Sequence, residues 1–113
     1  MKKLQIIQVF DCNNILLNLM VEHKEFPVSI GFRLLKLSKL FDEVEEYVFS
    51  LMETAFENFS FENMTEEQTL FFNKILSEEI ELDFHKIPLS VFENINLPIA
   101  DIDKLSIILD ENE

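Results

Sequence analysis

The sequence predicts one α+β domain that is predominantly α, with a long antiparallel helical hairpin, a small two-stranded sheet and a C-terminal helix. The 113 residues suit a single domain, and one glycine with three prolines leaves little turn chemistry. An unbroken helical seam runs through residues 27–59, and strict alternation near residue 80 is typical of a strand. Residues 1–26 are therefore expected to form a strand and a helix, residues 27–77 the hairpin, and residues 78–113 a strand and the last helix.

The N-terminal segment, residues 4–10, predicts a short strand or an extended arm because its β-branched residues partly alternate with polar ones. Asp11 is then expected to cap a first helix over residues 12–22. Pro27 follows a polar linker and suits the first turn of the next helix, where its missing N–H would be unpaired anyway.

The predicted long helix, residues 27–59, carries apolar residues at alternating intervals of four and three, which is the spacing of a helical seam. These residues are Ile30, Leu34, Leu37, Phe41, Val44, Val48, Leu51 and Ala55. At about 1.5 Å per residue the helix would be roughly 45 Å long. Gly31 near its start is expected to allow close packing against the first helix, or alternatively to act as a hinge.

The second half of the chain contains three further predicted elements. Thr65 and Gln68 form a capping box that opens a helix over residues 66–77, with Leu70, Phe71, Ile75 and Leu76 as its apolar face. Residues 79–85 alternate between polar and apolar, which predicts a strand over residues 80–87 that pairs with the N-terminal one. Pro98 is expected to open a helix ending near residue 109, with Ile99, Ile102, Leu105 and Leu109 inward.

The net charge of −13 is unevenly distributed along the chain. Residues 1–40 have a balance of +3, and residues 41–113 a balance of −16. Acidic surface repels phosphates, so direct binding of nucleic acid is not expected. The long helix repeats this division against its own macrodipole, which favours acids at the start and bases at the end. The predicted protein-contact residues are therefore Arg33, Lys36, Lys39, Glu43, Glu46 and Glu53, unless they form only a solvated face.

Enzymatic chemistry finds little support in the sequence. Nucleophilic catalysis needs an oriented base, but only His23 and His85 are available to Cys12, which is expected to be a core residue. One glycine does not permit a phosphate-binding loop. No catalytic, cofactor or metal residue is predicted. The alternative left open is a cation site on the face formed by Glu79, Glu81, Asp83 and His85, which could equally be a charged strand edge.

Two stretches carry a family resemblance, KEFPVSIGFRLLKLSKLFDEVEEYVFSLMETAFE and FFNKILSEEIELDFHKIPLSVFENINLPIADIDKLSIILDE. The first resembles the opening helix of a group of small tailed-bacteriophage proteins, where Leu-Pro precedes a Lys-Leu-x-Lys half and a Glu-rich half. The second resembles their acidic strand, Ile-Pro-Leu-Ser turn and Pro-x-Ala-Asp helix start, here residues 78–83, 87–90 and 98–101. The likeness spans residues 25–111. It departs at Phe26, where leucine is expected, and at Leu97, where serine is absent before Pro98.

The resemblance implies a phage origin and no particular functional residue. The function it favours is a non-enzymatic protein–protein interaction module, a virion structural or assembly component that binds itself as a homo-oligomer or another protein. The alternative is an acidic anti-defence inhibitor that occupies the basic nucleic-acid-binding groove of a host protein. Either would act in the host cytoplasm during infection, and the first also in the virion. No cofactor is expected, and no apolar run reaches the ~20 residues of a membrane span.

Overall fold

The computed structural model describes residues 2–23 and 25–110, and the architecture is α+β and mainly α, as predicted. Within the described ranges the helices are α1 (Ile6–Glu22), α2 (Val28–Ala55), α3 (Glu66–Leu76) and α4 (Ile99–Leu105). The strands are β1 (Lys2–Gln5), β2 (Glu79–Leu82), β3 (Ile87–Pro88) and β4 (Leu109–Asp110). Short 3-10 helices span Phe61–Asn63, Leu89–Phe92 and Ser106–Ile108.

The first helix begins earlier than the sequence suggests, at Ile6 rather than at residue 12. The N–H of Gln5 donates to Oε1 of Gln8 at 2.8 Å, and the N–H of Ile6 donates to the Glu78 carbonyl at 3.0 Å. Asp11 therefore lies inside α1, and its predicted capping role is wrong. The apolar residues of this segment follow helical rather than alternating spacing once β1 ends, and α1 buries Ile6, Val9, Cys12, Asn13, Ile15, Leu16 and Leu19.

The predicted seam of α2 is confirmed over most of its length. Its buried residues are Leu34, Leu37, Ser38, Phe41, Val44, Val48 and Met52, and they pack mainly against α1. Ala55 is exposed, and the helix ends there because Phe56 is extended. A Cβ atom added at Gly31 would meet nothing within 4 Å, so the close-packing interpretation of this glycine is wrong.

The predicted hairpin partner of α2 is α3, which follows residues 56–65. The capping box of α3 is confirmed, with the N–H of Gln68 donating to Oγ1 of Thr65 at 3.1 Å. The rings of Phe56 and Phe71 pack edge to face, with 5.4 Å between their centroids, where the two helices approach each other. Ile75 is buried, but Leu70 is exposed because α3 packs on α1 and α2 along only part of its length.

The predicted sheet between the N-terminal strand and the strand near residue 80 is confirmed. Strands β1 and β2 pair antiparallel, with Lys2 opposite Leu82 and Gln5 opposite Glu79. The predicted strand nevertheless stops at residue 82. Residues 87–88 form the separate strand β3, which pairs in parallel with β4.

The C-terminal helix is shorter than predicted, and only part of its expected inner face is buried. Leu105 and Leu109 are buried, whereas Ile99 is 86% exposed and Ile102 is also exposed. Helix α4 gives way to a 3-10 helix after Leu105, and this change of path turns Ile108 into the core. The predicted inward orientation of Ile99 and Ile102 is therefore wrong.

Candidate functional site: the outer face of α2

A second seam runs along the side of α2 opposite the buried one. Its residues alternate at intervals of four and three, and every one of them is exposed. They are Phe32, Lys36, Lys39, Glu43, Glu46, Ser50 and Glu53, and we call them the outer seam. Helical packing between two chains requires this same spacing, so the outer seam is a continuous surface that another helix could cover.

Five of the six predicted contact residues lie in the outer seam. Arg33 does not, because it is one residue beyond Phe32 and lies on the flank of α2 next to the β2 segment, where its Nη2 atom donates to the carbonyl of Lys86 at 2.5 Å. This bond ties the start of α2 to the segment before β3, so Arg33 is only half-buried rather than free on the outer side. The structure therefore separates Arg33 from the predicted set and keeps the other five together.

The charges of the outer seam change sign near its middle. Lys36 and Lys39 lie on the N-terminal side, and the three glutamates lie on the C-terminal side. The Nζ atom of Lys36 lies 5.5 Å from the centroid of the Phe32 ring, which is 62% exposed. The N-terminal half of the outer seam is thus basic with an aromatic side chain, and the C-terminal half is acidic.

A groove borders the outer seam between α2 and the segment that contains β2. One cavity of about 290 Å³ is lined by Arg33, Lys36, Leu37, Leu40, Asp83, Phe84 and His85. A second cavity of about 270 Å³ is lined by Leu40, Glu43, Val44, Tyr47, Ile80, Glu81 and Leu82. The two share Leu40, and we call them together the β2 groove. Tyr47 stands at its edge and is 60% exposed.

The opposite side of α2 carries a polar network that fixes the helix against α1. Asn13 is fully buried, and its Nδ2 atom donates to Oδ1 of Asp42 at 2.9 Å and to Oε2 of Glu45 at 2.5 Å. Ser38 donates from Oγ to Oδ1 of Asn13 at 3.2 Å. Burial raises the pKa of Glu45, the bond from Asn13 opposes the rise, and the charge of Asp42 adds to it. The network holds α2 in one orientation, with the outer seam outward.

The sequence analysis predicts neither this polar network nor the regular spacing of the outer seam. The signal for the network is an asparagine within the apolar stripe of an amphipathic helix, since Asn13 lies between the apolar Cys12 and Ile15. The signal for the second is the four–three spacing of Lys36, Lys39, Glu43 and Glu46, which the split of charge alone does not reveal.

The candidates that the sequence offers for nucleophilic or metal chemistry are Cys12 and the charged residues at and after β2. Cys12 is buried in the core as expected, and burial with the nearby charge of Asp11 raises its pKa to about 12. Over residues 2–23 and 25–110, no three His, Cys, Asp or Glu side chains are grouped so that they could hold a metal ion. Glu79 and Glu81 are exposed on β2, and Asp83 and His85 are exposed just after it, as a charged strand edge would be. Among the described helices, none has the length and apolar character needed to cross a membrane.

Comparisons of the chain with protein-family models, with curated proteins and with solved structures find no match. The resemblance to tailed-bacteriophage proteins therefore stays a prediction. The outer seam, the β2 groove and the distribution of charge are the features from which a function can be inferred.

Proposed function

We propose that this chain is a non-enzymatic bacteriophage protein that acts by binding another protein, as a virion structural or assembly component. The observation that carries the proposal is the outer seam, a row of seven exposed residues at packing intervals with its charges divided by sign. Every exposed stripe of a helix has this spacing, so the distinguishing feature is the division of the charges by sign along it. The regular interval is what an opposing helix would contact.

The order of charges adds a second argument. Within the outer seam, Glu53 lies in the last turn of α2, where the macrodipole opposes an acid by about 0.3–1 kcal/mol. Lys39 and Glu43 lie four residues apart with the base first, which is the poorer orientation for a pair within one helix. A partner with acids opposite Lys36 and Lys39 and bases opposite Glu43 and Glu46 would pair all four of these charges.

The test begins with mass spectrometry of gradient-purified phage particles and of infected cells. Stoichiometric peptides of this chain in particles support the virion role, and a stable complex found only in infected cells supports the assembly role. The variant Lys36→Glu/Lys39→Glu should lower the amount of chain incorporated or bound. The matched control is Lys74→Glu/Lys104→Glu, which changes the same charge at two exposed lysines on α3 and α4. Equal effects of the two variants, or no stable complex in either sample, contradict the proposal.

The second candidate is the acidic inhibitor, and the favouring observation is a set of exposed acids outside the outer seam. They are Glu66, Glu67, Glu78, Glu79, Glu81 and Asp83, at the ends of α3 and around β2. Such a surface could occupy a basic groove in place of phosphates. Binding to a basic nuclease should then fall steeply with salt and survive Lys36→Glu/Lys39→Glu. Absence of such binding, with loss of assembly in that variant, would reject the inhibitor and retain the first candidate.

A further inference from the structure

We infer that the partner of the outer seam is a second copy of this chain, packed antiparallel about a twofold axis that passes beside residue 41 of α2. This inference rests on the proposed function, because it names the protein that the same surface binds. It would make the chain an isologous dimer, in which one patch meets itself.

The outer seam is complementary to itself in that register. When two antiparallel helices are related by a twofold axis at the level of residue 41, the numbers of any two facing residues add up to 82. Lys39 then faces Glu43, and Lys36 faces Glu46. Phe32 faces Ser50, so the exposed ring meets a small side chain. The twofold axis repeats each contact, which gives two copies of both ion pairs.

Neighbouring registers are opposed by like charges. If the axis lies closer to the N-terminus, so that the numbers of facing residues add up to 75, Lys36 lies opposite Lys39. If it lies closer to the C-terminus, so that they add up to 89, Glu43 lies opposite Glu46. A parallel arrangement places each charged residue opposite its own copy. Like charges at close range are unfavourable, so the charge order selects one register and one direction.

The β2 groove provides a contact outside the ion pairs. Tyr47 lies six residues beyond the axis, which is about 9 Å along a helix at 1.5 Å per residue. In the second copy it therefore stands at the level of residue 35, between Arg33 and Lys36, which line the cavity of about 290 Å³. Tyr47 and this cavity lie on the same flank of α2, next to the β2 segment. The twofold axis keeps that flank on one side of the helix pair, so each Tyr47 can enter the groove of the other copy.

The association is expected to be reversible and sensitive to salt. Exposed ion pairs are individually weak and screened by salt, and the outer seam itself contributes one large apolar side chain, Phe32. The apolar lining of the β2 groove, including Leu37, Leu40 and Phe84, supplies the part of the interface that salt does not screen. The dimer should therefore weaken at high salt and be lost at low protein concentration.

The first test uses charge reversal followed by analytical ultracentrifugation. Lys36→Glu/Lys39→Glu makes the four central charges all acidic, and Glu43→Lys/Glu46→Lys makes them all basic. Each variant alone should weaken self-association at least tenfold, and an equimolar mixture should restore it at low salt. Lys74→Glu/Lys104→Glu is the control for net charge and should leave association unchanged. Tyr47→Ser should weaken the dimer at both low and high salt.

The second test measures the register by disulfide formation. Single variants Lys39→Cys and Glu43→Cys, mixed in equal amounts and oxidised, should form the mixed 39–43 disulfide in preference to the 39–39 and 43–43 products. The native Cys12 is buried and should not compete. Asn14→Cys, exposed on α1, is the control and should not cross-link. A predominance of 39–39 and 43–43 products would indicate parallel packing and overturn the inference.

The outcomes separate the inference from the proposed function. A chain that is monomeric at high micromolar concentration but binds another phage protein through Lys36 and Lys39 overturns the dimer and leaves the interaction module standing. A dimer unaffected by either charge reversal uses another surface, which also overturns the inference. If the chain is a monomer and its complexes with other proteins are unaffected by either charge reversal, both the dimer and the proposed function are overturned.

Discussion

The amide nitrogen of Asn13 donates to the Asp42 carboxylate across 2.9 Å, and this bond links α1 and α2, which have the most extensive contact among the described helices. The same nitrogen also donates to Glu45, and the amide oxygen accepts from Ser38. Every polar atom of the buried amide side chain therefore has a partner on α2. Because a fully buried amide without partners is costly, the network favours one orientation of α2 on α1.

Replacing Asn13 should destabilise the protein. Asn13→Ala removes both donors to Asp42 and Glu45 and leaves these half-buried carboxylates without their shared partner, which should lower the free energy of unfolding by about 1–3 kcal/mol. Urea denaturation followed by circular dichroism measures the change. Asn14→Ala, at the exposed neighbouring position, is the control and should stay within about 0.5 kcal/mol of the parent. Equal effects at the two positions would mean that the network contributes nothing to stability.

The parts of the fold that follow from periodicity and local chemistry could be predicted. The buried seam of α2 requires only the spacing of apolar residues, and the start of α3 requires only the reciprocal bonds of Thr65 and Gln68. The pairing of β1 with β2 follows from their being the two short alternating segments. In each of these cases one local pattern favours one structure.

The parts that depend on tertiary contacts could not be predicted. Residues 6–10 suit a strand by composition, and they join α1 because β1 has already paired fully with β2 by Gln5. The position of Asn13 in the buried stripe of α1 follows from helical spacing, but its acceptors on α2, some thirty positions away, are known only once the two helices are packed. Ile99 and Ile102 have helical spacing, but only the packing of α4 on α1 decides which face is covered.

The stability of the protein should depend on the titration of Glu45. Burial raises the pKa of this carboxyl above its ordinary value of 4.5, so the folded state holds the proton more tightly than the unfolded state. The contribution of Glu45 to stability is therefore greatest below pH 4.5 and falls as the pH rises through the folded-state pKa. Glu45→Gln keeps an oxygen that accepts from Asn13 and does not titrate.

The measurement is urea denaturation of Glu45→Gln and of the parent protein over a series of pH values. The stability of the variant relative to the parent should rise as the pH increases above about 4.5 and then level off. Glu57→Gln, at an exposed position beyond the end of α2, is the control for the loss of one negative charge. A constant difference between Glu45→Gln and the parent across this range would contradict the prediction.

The thiol of Cys12 should be unreactive in the folded protein. It is fully buried, and its pKa is raised to about 12, so at neutral pH it is both protonated and covered. A thiol-reactive chromophore should label it only after unfolding in guanidinium chloride. Ser77→Cys, at an exposed position after α3, supplies a matched thiol that should react at once in the folded state. Rapid labelling of Cys12 without denaturant would mean that α1 opens readily from the core.

Substitution of the single glycine should stabilise the protein. Gly31 lies in α2, its N–H donates to the Pro27 carbonyl at 2.9 Å, and a Cβ atom there would meet no other atom within 4 Å. Gly31→Ala should therefore raise the free energy of unfolding by about 0.5–1 kcal/mol, since alanine loses less backbone freedom than glycine on forming a helix. Thermal and urea denaturation both measure this gain, and Gly31→Val should give a smaller one because its branched side chain is restricted in a helix. A stability loss with alanine would instead support the hinge interpretation, in which α2 must bend at this position and the extra freedom of glycine is used.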